Sequence, residues 1–87
     1  LGNYPNPFNP ETNIILSVDK ESTLNLKIHS LSGALVRERF LGRFQPGTYS
    51  FNWDGKDQLS NSVPSGVYIY RFEAGLHSQV GKMTLLK

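Results

Sequence analysis

The sequence predicts an all-β fold, an antiparallel sandwich of about seven short strands. Three observations predict it. Apolar residues recur at every second position in several runs, the period of a half-buried strand. Turn-forming residues interrupt those runs about every 8 to 12 residues. No segment long enough to matter carries an apolar stripe at helical spacing.

The elements follow in order. Leu1 to Pro10 read LGNYPNPFNP. Prolines at 5, 7 and 10 forbid helix and weaken any sheet ladder. Residues 1–12 are therefore expected to form a stiff lead-in, packed on the sandwich through Tyr4 and Phe8. The remainder, 13–87, is expected to form the sandwich itself. Ile14, Leu16 and Val18 alternate with polar neighbours and predict the first strand. After the polar turn Asp19 to Ser22, Leu24, Leu26 and Ile28 predict the second. Ser30-Leu31-Ser32-Gly33 reads as a turn. A third strand is expected from Ala34 to about Phe40, with Val36 inward. Gln45-Pro46-Gly47 marks another turn. Tyr49, Phe51 and Trp53 then alternate, predicting a strand with an aromatic inner face.

A polar loop from Asp54 to Ser65 precedes the strongest strand signal, Gly66 to Ala74, rich in β-branched and aromatic residues. There Tyr68, Tyr70 and Phe72 are expected inward, with Val67 and Ile69 on the opposite face. Ala74 to His77 reads as a hairpin turn. The last strand is expected over Gln79 to Leu86, with Met83 and Leu85 inward. This is the pattern of an immunoglobulin-like sandwich.

Bulk properties exclude several functions. Nine basic and seven acidic residues leave a formal charge of +2, and the basic residues form no long run. That is too weak a footprint for nucleic acid. No apolar run approaches the roughly 20 residues that span a bilayer, so membrane insertion is not expected. There is no cysteine, which removes disulfides and thiolate metal sites. The chain opens at Leu1 without a methionine, and a domain of a longer precursor is expected.

The residues offer little for chemistry. His29 and His77 lack a second ligand at metal-binding spacing. No nucleophile elbow and no phosphate loop is present. Asp54 and Asp57 stand close enough to share a calcium ion with backbone carbonyls. The DGKD segment lacks the fuller oxygen array of a calcium loop, so an Asx-type turn is the expectation. No enzyme, cofactor or metal site is expected.

Four motifs together carry a resemblance. NYPNPFNPETNI, LKIHSLSGALV, PSGVYIYRFEAG and the closing KMTLLK resemble the C-terminal sorting domain of type IX (Por) secretion. The stretch WDGKDQLSNSVPSGVYIYRFEAG is similar to the immunoglobulin-like domain of the flagellar hook-capping protein family. The first resemblance implies a non-catalytic sorting domain. It would direct an N-terminal passenger, expected to be a secreted enzyme, across the bacterial outer membrane. Its reader would be the type IX machinery in that membrane. The protein would be exported, in the periplasm in transit and then at the cell surface or extracellular. Carried over by motif, the recognition residues are Gly66, Val67 and Tyr68, with Lys82 opening the final strand and Lys87 ending it. The alternatives are an immunoglobulin-like structural spacer and a carbohydrate-binding accessory module of a secreted hydrolase. The second would need an exposed strip of aromatic rings.

Overall fold

The computed structural model describes residues 11–86. The proposed lead-in contacts of Tyr4 and Phe8, and the terminal Lys87, lie outside the described residues. Six strands follow in order: β1 (Thr12–Val18), β2 (Ser22–Ser30), β3 (Leu35–Phe44), β4 (Gly47–Trp53), β5 (Gly66–Ala74) and β6 (His77–Leu85). They form two antiparallel sheets, one of two strands in the order β1-β4 and one of four in the order β3-β2-β5-β6. The all-β sandwich predicted from the sequence is the observed fold, with six strands among the described residues instead of about seven. The loop from Asp54 to Ser65 contributes only an isolated bridge between Lys56 and Ser62.

Alternation sets the core. Ile14, Leu16 and Val18 of β1 are buried, as are Leu24, Leu26 and Ile28 of β2. Trp53 of β4, Tyr68 and Phe72 of β5, and Leu85 of β6 complete the centre with Val63. Tyr49, Phe51, Tyr70 and Met83 are partly buried and pack against it. The inward faces predicted for β1, β2, β4, β5 and β6 are the observed ones. No charged or polar residue is buried among the described residues, and every buried side-chain polar atom has a partner. The core therefore carries no unmet polar group, which would cost several kcal/mol at worst.

Strand β3 turns Val36 onto the core as expected but departs from expectation in its length and in its arginines. It runs to Phe44, four residues past the predicted end, because two bulges carry it onward. Arg37 opposes Ile28 while Leu35 opposes His29, so Val36 is extra; Gly42 opposes Leu24 while Phe40 opposes Asn25, so Leu41 is extra. Both extra residues turn onto the core. Between the bulges Arg37 and Arg39 oppose Ile28 and Leu26, so two guanidinium groups share the face of the apolar core at the sheet edge. Inward-pointing charge on an edge strand discourages unwanted pairing with other chains.

Strand β6 contains one position that must stay bare. Gly81 opposes Tyr70, and a Cβ built at Gly81 would land on the Tyr70 ring and hydroxyl. The ring covers the glycine, filling space that no other side chain occupies, and is held edge-on against Phe72 with centroids 5.7 Å apart. Replacing Gly81 by Ala forces the ring off this contact. The Gly81→Ala substitution should cost about 1–3 kcal/mol in urea unfolding, the range for an overpacked site. The same substitution in a Tyr70→Ala background should cost much less, because the obstructing ring is gone.

Candidate functional site

Three segments cross from one sheet to the other: β1 to β2, β3 to β4 and β4 to β5. The last two crossings are closed in the same way. Tyr49 Oη donates to the carbonyl of Gln45 at 2.7 Å, and Tyr68 Oη donates to the carbonyl of Pro64 at 2.6 Å. Each acceptor lies four residues before its tyrosine, and each span carries a glycine two residues before it. Gly47 and Gly66 have φ of 155° and 156°, a region essentially reserved for glycine. A tyrosine near a strand start that bonds back to the corner is a known device of immunoglobulin-like sandwiches. Here it occurs twice, as Pro46-Gly47-Thr48-Tyr49 and Pro64-Ser65-Gly66-Val67-Tyr68.

This geometry divides the residues singled out for partner recognition. Gly66 supplies the backbone conformation of the corner. Tyr68 faces the core, 6% exposed, with its ring edge-on to Trp53 at 5.1 Å between centroids. Burial raises its hydroxyl pKa above the ordinary 10.0. Val67 and Lys82 lie on the outer face of the four-stranded sheet as diagonal neighbours, since Val67 opposes Thr84 and Ile69 opposes Lys82. Lys82 is exposed. The structure thus brings Val67 and Lys82 to one surface and sends Tyr68 to the other side of the sheet.

The loop after β4 is built by carboxylates acting on backbone. Asp54 Oδ1 accepts the N–H of Lys56 at 3.1 Å and the Arg37 guanidinium at 3.2 Å. Asp57 Oδ1 accepts the N–H groups of Leu59 and Asn61, both at 2.9 Å. The first is the Asx-type turn expected from the sequence at Asp54, and Asp57 adds a second. Trp53 Nε1 donates to the carbonyl of Lys56 at 3.0 Å, which ties the loop to the core. Among the described residues no three of His, Cys, Asp or Glu gather at a point.

Sequence reasoning missed what the loop does for the sheet edge. Gln58 donates its backbone N–H to the carbonyl of Val36 at 3.1 Å and accepts the N–H of Glu38 on its side-chain Oε1 at 2.9 Å. One residue thus occupies the free edge of β3 where a further strand would pair. The only local signal is a polar loop of suitable length.

Two grooves open where the unequal sheets diverge. One of about 470 Å³ lies between the β1–β2 corner and the β5–β6 hairpin, over Leu16, Val18, Leu24 and Phe72. The other, of about 400 Å³, lies between β3 and β4. Its floor is Leu26, Ile28, Phe51 and Trp53, and Arg37 and Arg39 stand on its β3 side. The aromatic strip that a sugar-binding face would need is turned inward, since Trp53 and Tyr68 are buried and Tyr70 packs against the core.

Fold and site define a small immunoglobulin-like sandwich closed by paired tyrosine corners, with open seams between its sheets. The chain belongs to the FlgD Ig-like domain family, whose model matches residues 10–78. It is similar to the solved structure of FlgD from P. aeruginosa, at a TM-score of 0.71 and 24% identity. The likeness, which shows the fold, covers 86% of this chain and 58% of that one, so the chain spans little more than half of that protein's length. No curated protein matches the sequence.

The family match corrects the functional expectation drawn from sequence. The type IX sorting domain is overturned, and with it the secretion role, the outer-membrane machinery as reader and the attached passenger enzyme. Two of the four motifs behind that expectation fall largely outside the matched region. NYPNPFNPETNI lies mostly before residue 10 and KMTLLK begins after residue 78. The motifs inside it, LKIHSLSGALV and PSGVYIYRFEAG, build the β2–β3 turn and the second tyrosine corner.

Replacing Tyr68 by Phe removes the hydroxyl and keeps the ring on Trp53. The Tyr68→Phe variant should lose about 1 kcal/mol at pH 7, the net worth of one hydrogen bond. Its pH dependence should differ too. The folded state resists ionisation of Tyr68, so the unfolded chain releases that proton first as pH rises. The stability tied to the neutral hydroxyl is full below pH about 10 and is lost as pH climbs through the higher folded value. Urea midpoints between pH 7 and 11 should therefore fall less steeply for Tyr68→Phe than for the parent.

Proposed function

We propose that this domain is a non-catalytic structural module of an exported protein. It works through protein–protein contact in a flagellar hook-capping type of assembly, outside the cytoplasm. The observation that supports this reading is family membership over residues 10–78. The interior agrees with it. Side chains that might serve chemistry are spent on the fold: Tyr49 and Tyr68 on corners, Asp54 and Asp57 on turns, Trp53 on a loop carbonyl. What remains for function is surface, made of sheet edges and grooves rigidly presented by a closed core.

The reading is tested in the organism that carries the gene. An in-frame deletion of residues 12–85 from the full-length protein should leave cells with missing or malformed hooks, seen by negative-stain electron microscopy of hook–basal bodies. Expression of the intact protein in trans should restore them. Hooks of normal number and length in the deletion strain, with the truncated protein present at parental levels, would remove the assembly role.

A further inference from the structure

The four sheet edges are not treated alike. The β3 edge is blocked by Gln58, bent by two bulges and lined with Arg37, Glu38, Arg39 and Arg43. The β6 edge carries Lys82. These are the usual means by which a protein keeps other chains from adding to its sheets. Strands β1 and β4 have none of them, and of the two it is β4 that borders the groove holding Arg37 and Arg39. Strand β4 reads GTYSFNW, with no charge, no bulge and no proline. It pairs with β1 on one side only, and among the described residues no strand, loop or side chain bonds the backbone of its other side. That side faces the groove between β3 and β4.

The groove has chemistry suited to a particular occupant. Its floor is apolar, and across from β4 stand two guanidinium groups. Arg37 is partly engaged, with one nitrogen on Asp54 and on the carbonyl of Lys56. Arg39 is exposed, and among the described residues its guanidinium has neither an ion pair nor a hydrogen bond. A strand laid along β4 would take up its free backbone groups. Alternate side chains of that strand would point down onto Leu26, Ile28 and Phe51, within reach of Arg39. A carboxylate there gains a charge-assisted, bidentate partner.

We propose that the open edge of β4 is a docking site for an extended, acidic segment of a partner protein. The segment adds to the two-stranded sheet as a third strand and sets a carboxylate on Arg39. Backbone pairing supplies the affinity, and Arg39 selects for negative charge and speeds the encounter. The inference does not depend on the hook-capping reading; any acidic strand donor satisfies it.

The probe is a synthetic peptide of about seven residues alternating glutamate and valine, the length of β4. It is added to the full 87-residue chain and followed by amide chemical shifts and amide hydrogen exchange. Binding should shift the amides of Ser50 to Asn52 and slow exchange along β4, and it should weaken as salt rises. A matched peptide alternating lysine and valine should not bind. The Arg39→Glu variant should retain the parent's thermal midpoint and lose at least about tenfold in affinity for the acidic peptide. A version of the peptide N-methylated at alternate residues should fail, because it cannot complete the ladder.

Four results would overturn the proposal. One is no shift at millimolar peptide, and another is equal binding of the lysine peptide. A third is binding untouched by Arg39→Glu, and the last is shifts centred on β1 or β6. Sedimentation of the chain alone supplies a further check. A concentration-dependent dimer that protects β4 would make a second copy the occupant and would likewise overturn it.

Discussion

The sandwich depends on closing a narrow sheet over a wide one. Two strands face four, and the chain passes between the layers three times. Each passage must leave one sheet and enter the other within a few residues, and backbone polar groups at such a corner lose their ladder partners. Two of the passages meet this demand by one arrangement: a glycine with φ near 155° swings the chain round, and a tyrosine two residues on bonds back across the bend. The tyrosine ring then packs on the core, Tyr68 buried and Tyr49 partly so. Tyr49 leans edge-on against Phe44 and Tyr68 against Trp53. The corner bond and the aromatic core are therefore one structure. Phe51 extends it, touching Phe44 on one side and Phe72 on the other, and so ties the two sheets across the middle.

Once the corners are fixed, the mismatch in sheet width leaves seams. The chain fills them unevenly. The loop after β4 folds back through Asp54 and Asp57 turns, hangs on Trp53 and Arg37, and ends by placing Gln58 on the β3 edge. That one loop anchors the core tryptophan and blunts an edge. It does so with hydrogen bonds in half-exposed surroundings, each worth little singly but acting together as a connected set. Among the described residues the neighbouring edge of β4 receives no such cover, although it is only one corner away in the chain.

Much of this architecture was legible in the sequence because strict alternation survives wherever a strand is regular. Ile14, Leu16 and Val18, or Leu24, Leu26 and Ile28, announce their face without any knowledge of the partner strand. The aromatic inner faces of β4 and β5 were equally plain. Strand β3 was legible only as far as Val36, because its two bulges shift the period there and again at Leu41. Between those shifts, Arg37 and Arg39 stand on the inner face, where a period-2 reading expects apolar residues. The edge position that tolerates them is a property of sheet order, which no local pattern encodes. Gln58 was hidden for the same reason: its partners lie 20 and 22 residues back in the chain. The family was half legible. Four motifs, two at the ends and two internal, suggested a sorting signal, whereas the WDGKDQLSNSVPSGVYIYRFEAG stretch resembled the family that the match over residues 10–78 shows.

That middle is where sequence motif and functional site part company. Ser-Gly-Val-Tyr draws the eye because its residues are specialised, and a specialised residue invites a functional reading. Here the specialisation is geometric. Glycine is required by φ alone, since nothing lies within 4 Å of a Cβ built at Gly66. Tyrosine is required because no other side chain both fills the core beside Trp53 and delivers a donor to the Pro64 carbonyl. The second copy of the arrangement, at Gly47 and Tyr49, makes the point independently, for it sits at a different crossing and serves the same closure. A motif that recurs within one domain at equivalent corners is answering a demand of the fold. Recognition must then come from positions the fold leaves without internal work, and these are the ones a motif passes over: among the described residues, the outer backbone edge of β4 and an arginine whose guanidinium has no counter-ion.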